Sequence, residues 1–205
     1  HIKSLYEHIP MVILTPFSHG ITKRIANEDL SPFEYVFCWL GNTDLLVSII
    51  KLIEDKMNLE HDVSEVGVQI ILLVEDGIRF YSSILPNLYK FVLKQSQEFS
   101  TEALNAHQRT LRMRGRPKIV LARTYNEAIG IYEKYKNNIL GVITDVRFPR
   151  VERGEKDALA GIKLCAAIRK EDPFVPLIIQ SSESENVSYA AKYDAAFIDK
   201  NSKKM

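Results

Sequence analysis

The stretch VGVQIILLVEDG, residues 66–77, places two carboxylates directly after a run of apolar residues. Within it, residues 68–74 are all apolar except Gln69, which is typical of a strand buried on both faces of a parallel sheet. Glu75 and Asp76 stand at the point where that strand would end. The segment therefore predicts a central strand that delivers two acidic side chains to one edge of a sheet.

Four more short apolar runs follow, and segments with the spacing of half-buried helices lie between them. The predicted strands are 119–122, 141–144, 177–179 and 195–198, and the clearest helices are 126–135 and 159–169. A strand that re-enters a sheet in the same direction needs a crossover, which is usually a helix. The alternation therefore predicts an α/β fold with a doubly wound five-stranded parallel sheet over residues 67–205.

Length and composition fit a globular protein. The chain has 205 residues, of which 46% are apolar and 26% are charged, and its net charge is +1. This balance gives no global electrostatic reason to expect nucleic acid or an anionic membrane as a partner. Cys38 and Cys165 lack the spacing of metal or redox sites, and no apolar run is long enough to span a bilayer. We therefore expect a cytoplasmic protein.

Residues 1–62, the first unit, partly repeat the sequence pattern of residues 67–205, the second unit. The paired segments are VILTPFS with LIIQSSE, at 12–18 and 177–183, and YVFCWLGN with AFIDKNS, at 35–42 and 196–202. The predicted elements of this first unit are strands at 11–15 and 35–38 and an amphipathic helix at 42–57. Asn42 or Thr43 is a suitable cap for that helix.

The segment 78–113 has the pattern of one long helix in which Pro86 is the only breaker. This is longer than one crossover needs, so a helical insertion at 87–116 is predicted. Two alternatives stay open for the insertion, a helical hairpin or an arm used for homodimerisation. RGRP at 114–117 resembles a minor-groove hook, but Lys118 leads directly into a predicted strand, which favours a helix end over DNA binding.

Polar side chains stand just past the carboxyl ends of four predicted strands, and a doubly wound sheet brings those ends to one crevice. They are Glu75, Asp76, Asp145, Ser181, Ser182 and Lys200. Three carboxylates in one crevice repel one another, so they indicate a bound cation. Mg²⁺ is the natural candidate, because it prefers oxygen ligands and leaves a coordination position for a phosphate oxygen. Lys200 and the Ser181 hydroxyl would bind further phosphate oxygens, and a carboxylate at the centre of the crevice could act as the nucleophile and form an aspartyl phosphate.

These motifs resemble the response-regulator receiver domains of two-component signalling, which have a flavodoxin-like fold. The matching segments are VEDG at 74–77, ITDVRFP at 143–149, PLIIQSS at 176–182 and FIDKNS at 197–202. The resemblance implies a regulatory domain rather than an enzyme, phosphorylated at Asp145 by a histidine kinase or a small phosphodonor. The Mg²⁺ ligands that it implies are Glu75, Asp76, Asp145 and the carbonyl of Arg147. The remaining site residues that it implies are Ser181, Ser182, Lys200 and the switch aromatic Phe197.

Three features depart from the family pattern near the site. The interval from Asp76 to Asp145 is longer than the family pattern, because it contains the predicted insertion. A second insertion, RVERGEKD at 150–157, lengthens the loop beside Asp145 and is expected to affect partner access or the lifetime of the phosphate. Asn201 follows Lys200, where the family often has proline. These departures change loops and leave the charged groups in place.

The first unit resembles a degenerate receiver. Thr15 takes the hydroxyl position, but Trp39 stands where the lysine is expected, so this unit should be chemically silent. Across the whole chain, VEDGIRFYSSILP, HQRTLRMRGRPK and LGVITDVRFPR resemble the amino-terminal regulatory part of proteins related to phosphoenolpyruvate synthase and pyruvate phosphate dikinase. This likeness implies a C-terminal enzyme domain in cis and a fragment that ends before the last receiver helix. It leaves one alternative open, a non-phosphorylated regulatory or dimerisation module of such an enzyme.

Overall fold

The computed structural model describes residues 8–16, 29–101 and 115–202. The strands are β1 (Val12–Pro16), β2 (Tyr35–Trp39), β3 (Ile70–Val74), β4 (Lys118–Ala122), β5 (Ile139–Asp145), β6 (Phe148–Pro149), β7 (Lys156–Asp157), β8 (Leu177–Ser181) and β9 (Ala196–Asp199). The helices are α1 (Asp44–Val66), α2 (Ile78–Thr101), α3 (Tyr125–Tyr135), α4 (Ala160–Glu171) and α5 (Val187–Lys192). None of the helices in the described part of the chain has the length and apolar character that a membrane span requires.

The main sheet has five parallel strands in the order β4-β3-β5-β8-β9. Counted from β3, this is the order 2-1-3-4-5 of the flavodoxin-like doubly wound fold. The predicted α/β class and the predicted five-stranded parallel sheet are therefore confirmed. The chain changes direction across the sheet between β3 and β5, and ligands of such sheets bind beyond the carboxyl ends of the strands at that point.

Alternate residues of β3 point into two hydrophobic layers on opposite faces of the sheet. Leu72 and Val74 contribute to the layer beneath α3, α4 and α5, whose other members include Ala128, Leu164 and Ala190. Leu73 contributes to the opposite layer with α1 and α2, whose members include Leu52, Leu85, Ile119 and Leu121. The central strand is buried on both faces, as its continuous apolar run predicts.

The strand β3 begins at Ile70, two residues later than predicted, because the preceding residues close α1. Gly67 adopts a left-handed conformation with φ 69°, and its amide donates to the Val63 carbonyl at 3.1 Å. The Val68 amide donates to the Asp62 carbonyl at 3.2 Å. This pair of bonds is a glycine C-cap, so Val68 belongs to the helix end rather than to the strand.

The helix α1 also runs well past its predicted end at residue 57. The later part is mainly polar, which hides its helical pattern, but it buries Leu59 and carries Asp62 to within 2.6 Å of the Lys118 ammonium. At the other end, Asn42 rather than Thr43 supplies the side-chain bond, since Asn42 Oδ1 accepts from the Asp44 amide at 2.9 Å.

The strands β1 and β2 form a separate two-stranded parallel sheet that contacts α2. Two side chains of α2 bind the backbone of β2: the Tyr81 hydroxyl donates to the Val36 carbonyl, and Ser82 Oγ accepts from the Cys38 amide at 2.9 Å. These bonds give two backbone groups of β2 partners on α2. The first segment is therefore held on the helix that follows β3.

The helix α2 continues through Pro86 to Thr101, so the proline does not mark an early end. Leu85 and Tyr89 are both buried on either side of it, and this packing supports a helix that proline would otherwise weaken. A hairpin turn within 87–101 is thereby excluded. The rest of the predicted insertion at 102–114 lies outside the described residues.

A buried carboxylate joins α1 to the main sheet. Asp55, which is fully buried, accepts two hydrogen bonds from the Arg116 guanidinium, at 2.6 and 3.0 Å. It also accepts from the Tyr89 hydroxyl at 2.9 Å and from the Ile119 amide at 3.0 Å. The Arg116 guanidinium of the RGRP motif is therefore buried and paired with Asp55. Arg114 lies outside the described residues.

Candidate functional site

The fold brings three predicted acidic residues together at one edge of the main sheet. Glu75 and Asp76 follow the last residue of β3, and Asp145 is the last residue of the adjacent β5. One carboxylate oxygen from each of the three lies within 4.8 Å of the others. The predicted convergence of these side chains is therefore present in the structure.

Glu75 is the most buried member of the cluster, with 1% of its surface exposed. Its Oε1 accepts from the Gly77 amide at 3.0 Å, and its Oε2 accepts from the Lys200 ammonium at 2.5 Å. Burial raises the pKa of Glu75 to about 7, and the nearby charge of Asp145 adds to this rise. Lys200 opposes the rise only in part, because its ammonium is shared with Asp145.

Lys200 bridges two of the carboxylates. Its Nζ lies 2.5 Å from Glu75 Oε2 and 2.8 Å from Asp145 Oδ1, and its side chain is 3% exposed. The Lys200 amide donates to the Ser181 carbonyl at 2.9 Å, which fixes the backbone just after β9. The ammonium also stands 4.2 Å from the ring centroid of Phe80, a cation–π contact. Phe80 was not predicted, since nothing distinguishes it from other aromatic residues of α2.

Asp76 binds a lysine that the sequence did not single out. Its Oδ2 lies 2.6 Å from Lys156 Nζ, while its Oδ1 is buried and has no hydrogen-bond partner among the described residues. Lys156 belongs to the insertion 150–157, in which β6 and β7 pair as an antiparallel hairpin. Strands of two residues leave no periodic pattern, so this hairpin and its contact with Asp76 gave no sequence signal.

Ser181 ends β8 and is 5% exposed. Its Oγ accepts from the Glu183 amide at 3.0 Å and from Asn186 Nδ2 at 2.9 Å. Both bonds use the oxygen as acceptor, so the hydroxyl hydrogen is available for donation to an anion. Ser182 is exposed, and its carbonyl accepts from Asn201 Nδ2 at 3.0 Å. The Asn201 side chain thus links the loop after β9 to the loop after β8.

Phe197 and Arg147 are the two remaining predicted residues of the site. Phe197 is half-buried against the hydrophobic layer beneath α3, α4 and α5, three residues before Lys200. Arg147 is exposed and follows Asp145 by two residues. The switch role of Phe197 and the metal-ligand role of the Arg147 carbonyl stay predictions.

A glycine that was not predicted allows α4 to approach β5 closely. The Gly161 amide donates to the Val146 carbonyl at 3.0 Å. A Cβ atom at Gly161 would lie 1.9 Å from the Asp145 carbonyl oxygen and 3.1 Å from Thr144 Oγ1. Only glycine therefore fits, and its absence of a side chain sets the backbone position of the candidate acceptor.

The residues present fit a divalent cation. Three carboxylates face the two ammonium groups of Lys156 and Lys200, which leaves one negative charge uncompensated when all are ionised. The buried Oδ1 of Asp76, which lacks a partner among the described residues, is a hard oxygen of the kind that Mg²⁺ prefers. Asp76 and Asp145 are the best placed to bind such an ion, because both oxygens of Glu75 already accept hydrogen bonds.

Comparison with solved structures gives a match to a response regulator receiver domain protein from Clostridium thermocellum. The TM-score is 0.42 and the sequence identity is 22%, over 66% of this chain and 84% of that chain. No protein-family model matches the chain, and no curated protein matches it either. This similarity is too low to indicate a function for the chain. The strand order and the side chains at the sheet edge are the observations that bear on function. None of these findings supports the predicted likeness to phosphoenolpyruvate synthase.

Proposed function

We propose that the chain is a receiver-type regulatory domain in which Asp145 accepts a phosphoryl group in the presence of Mg²⁺. The observation that carries the proposal is the acidic cluster at the switch point of a 2-1-3-4-5 sheet, with Lys200 bridging Glu75 and Asp145. Ion-paired carboxylates are common on protein surfaces, but here the lysine and Glu75 are almost fully buried. Such burial of opposed charges at a ligand-binding edge is typical of a functional site.

In the proposed reaction, a carboxylate oxygen of Asp145 attacks the phosphorus atom of the donor. A bond forms between this oxygen and phosphorus, and the bond between phosphorus and the donor's leaving group breaks, with its electron pair going to the leaving group. Bound Mg²⁺ supplies charge neutralisation for the phosphoryl oxygens. Asp76 and Asp145 would hold the ion, and the attacking atom is an oxygen of the Asp145 carboxyl group.

Lys200 and Ser181 are proposed to bind the transferred group. The Lys200 ammonium already contacts Asp145, so it can follow the charge that moves onto a phosphoryl oxygen. The Ser181 hydroxyl stands at the end of β8, the strand adjacent to β5, with its hydrogen available. We propose that Ser181 and Phe197 transmit the phosphorylation state to a partner surface, and that the donor is a histidine kinase or a small phosphodonor.

Incubation with acetyl phosphate and Mg²⁺, followed by intact-protein mass spectrometry, tests the proposal. The wild-type chain should gain one phosphoryl group, and chelation of Mg²⁺ should prevent the gain. Asp145→Asn should abolish labelling, whereas Asp44→Asn, which changes an exposed carboxylate at the start of α1, should leave it unchanged. Labelling that persists in Asp145→Asn would show that the acceptor assignment is wrong.

A non-phosphorylated interaction module is the alternative, whether or not a phosphoenolpyruvate-utilising enzyme domain adjoins it. The observation that favours it is that Lys156 and Lys200 already compensate two of the three carboxylates. This alternative predicts no Mg²⁺ binding by titration calorimetry. It also predicts that Asp145→Asn leaves any self-association, measured by analytical ultracentrifugation, unchanged.

A further inference from the structure

Lys156 reaches the acidic cluster from a structured hairpin rather than from a free loop. In the hairpin, Lys156 pairs with Pro149, and Asp157 pairs with Phe148, which is fully buried. The Asp157 carboxylate accepts from the Leu159 amide at 3.0 Å and from the Lys163 ammonium at 2.6 Å. These contacts hold the backbone at Lys156 and Asp157, so the Lys156 side chain starts from a fixed position.

The Lys156 ammonium reaches the acidic cluster at the Asp76 carboxylate. Lys156 Nζ lies 2.6 Å from Asp76 Oδ2, and the Asp76 side chain is 14% exposed. The second oxygen, Asp76 Oδ1, is buried and lacks a hydrogen-bond partner among the described residues. Lys156 therefore provides a partner for only one of the two carboxylate oxygens. A ligand with more than one coordination position would bind Asp76 better than an ammonium does.

We propose that Lys156 is a tethered cation that competes with the divalent ion for Asp76 and thereby sets the affinity of the site. The inference rests on the proposed function, because it assumes that the divalent ion binds at Asp76 and Asp145. An ammonium at Oδ2 and a divalent cation at Oδ1 of the same carboxylate repel each other, so binding of the ion favours release of Lys156 from Asp76. Its attachment to the hairpin keeps its local concentration high, which weakens the apparent affinity for the ion.

The two lysines of the cluster differ in their freedom to move. The Lys200 side chain is 3% exposed, and its ammonium contacts Glu75, Asp145 and the Phe80 ring, so moving it into water would break all three contacts. The Lys156 side chain is 50% exposed, and its four-carbon stem can carry the ammonium into water at small free-energy cost. Lys200 is therefore a fixed part of the site, whereas Lys156 is a displaceable part. The position of the hairpin is in this way linked to occupancy of the cation site.

Titration calorimetry with Mg²⁺ alone, in the absence of any phosphodonor, tests the inference on the full chain. Lys156→Met should bind Mg²⁺ roughly three- to tenfold more tightly than the wild type, since it removes a half-exposed competing charge. Lys156→Arg keeps the charge and should bind within about twofold of the wild type. Lys136→Met is the matched control: it removes a lysine of similar exposure, 56%, that pairs with Glu171 and precedes the start of β5, at the opposite end of that strand from Asp145. It should leave the affinity unchanged.

Hydrogen exchange gives a second readout that does not depend on a variant. Mg²⁺ should increase amide exchange in residues 150–157 of the wild type, because Lys156 releases the hairpin from Asp76. Equal or weaker Mg²⁺ binding by Lys156→Met, with a wild type that binds, would overturn the inference and leave the proposed function standing. Mg²⁺ binding by neither protein would contradict both. Binding by Lys156→Met alone would support the inference in its strongest form.

Discussion

At the scale of single residues, the Glu75 carboxyl group is held in a position that disfavours its charge. It is buried, it lies beside Asp145, and it shares one ammonium with that second carboxylate. Burial and the neighbouring charge raise its pKa to about 7, above its ordinary value. The stability of the protein should therefore depend on pH in a way that identifies this residue.

Glu75→Gln should remove a pH dependence that the wild type shows. Between about pH 4.3, where an unfolded glutamate titrates, and about pH 7, the folded chain keeps a proton that the unfolded chain has lost. The free energy of unfolding therefore falls as pH rises through this window. Urea unfolding in a chelating buffer should show the wild type losing on the order of 2 kcal/mol relative to Glu75→Gln between about pH 4 and about pH 8. Parallel pH profiles of the two proteins would contradict the raised pKa.

At the scale of secondary-structure elements, the approach of α4 to β5 determines where Asp145 stands. Gly161 allows this approach, because any Cβ atom there would overlap the Asp145 carbonyl oxygen at 1.9 Å. The overlap involves backbone rather than a flexible side chain, so either the helix or the strand end has to move. A change at Gly161 therefore acts on the candidate site through the backbone.

Gly161→Ala should lower the free energy of unfolding by about 1–3 kcal/mol through overpacking and should slow phosphorylation of Asp145 by roughly tenfold or more. Gly130→Ala is its matched control, since Gly130 lies inside α3 and a Cβ there meets nothing within 4 Å. The control should gain about 0.5–1 kcal/mol from higher helix propensity and keep its phosphorylation rate. Thermal unfolding and acetyl phosphate labelling measure both properties. Equal behaviour of the two variants would contradict the role given to Gly161.

The elements that could be predicted from sequence are those with a long periodic or apolar pattern. The strands of the main sheet and the convergence of Glu75, Asp76 and Asp145 follow from apolar runs and the geometry of parallel sheets. The hairpin that carries Lys156 could not be predicted, because each of its strands has two residues. The contact of Phe80 with Lys200 depends on tertiary packing between residues far apart in the chain, which single-sequence patterns do not encode.

At the scale of the whole molecule, the first segment and the main sheet share a hydrophobic layer and a buried ion pair. Leu45 and Leu52 of α1 pack with Leu85 of α2 and Leu121 of β4. Asp55 of α1 joins the same elements, because it accepts from Tyr89 of α2 and from the Ile119 amide of β4 as well as from the Arg116 guanidinium. The first segment, which the sequence predicts to be chemically silent, is therefore expected to be needed for folding, because it covers one face of the sheet.

Asp55→Asn should destabilise the protein by about 3–5 kcal/mol, because it leaves the Arg116 guanidinium buried without a full counter-charge. Denaturation followed by the fluorescence of Trp39, in β2, and by far-ultraviolet circular dichroism should give coincident transitions that shift together. Glu171→Gln is the control: its pair with Lys136 is about half exposed on both sides, and the expected loss is about 1 kcal/mol or less. Two separated transitions in the wild type would contradict a shared core.

Asp145 is proposed as the residue that takes the phosphoryl group, and chemical marking of the acceptor tests this at the residue itself. An aspartyl phosphate is reduced by borohydride to homoserine, so treatment after incubation with acetyl phosphate and Mg²⁺ marks the acceptor permanently. Peptide mapping by tandem mass spectrometry should find homoserine at position 145 and unmodified Asp76 and Glu75. Homoserine at another aspartate, or none in a protein that binds Mg²⁺, would contradict the account.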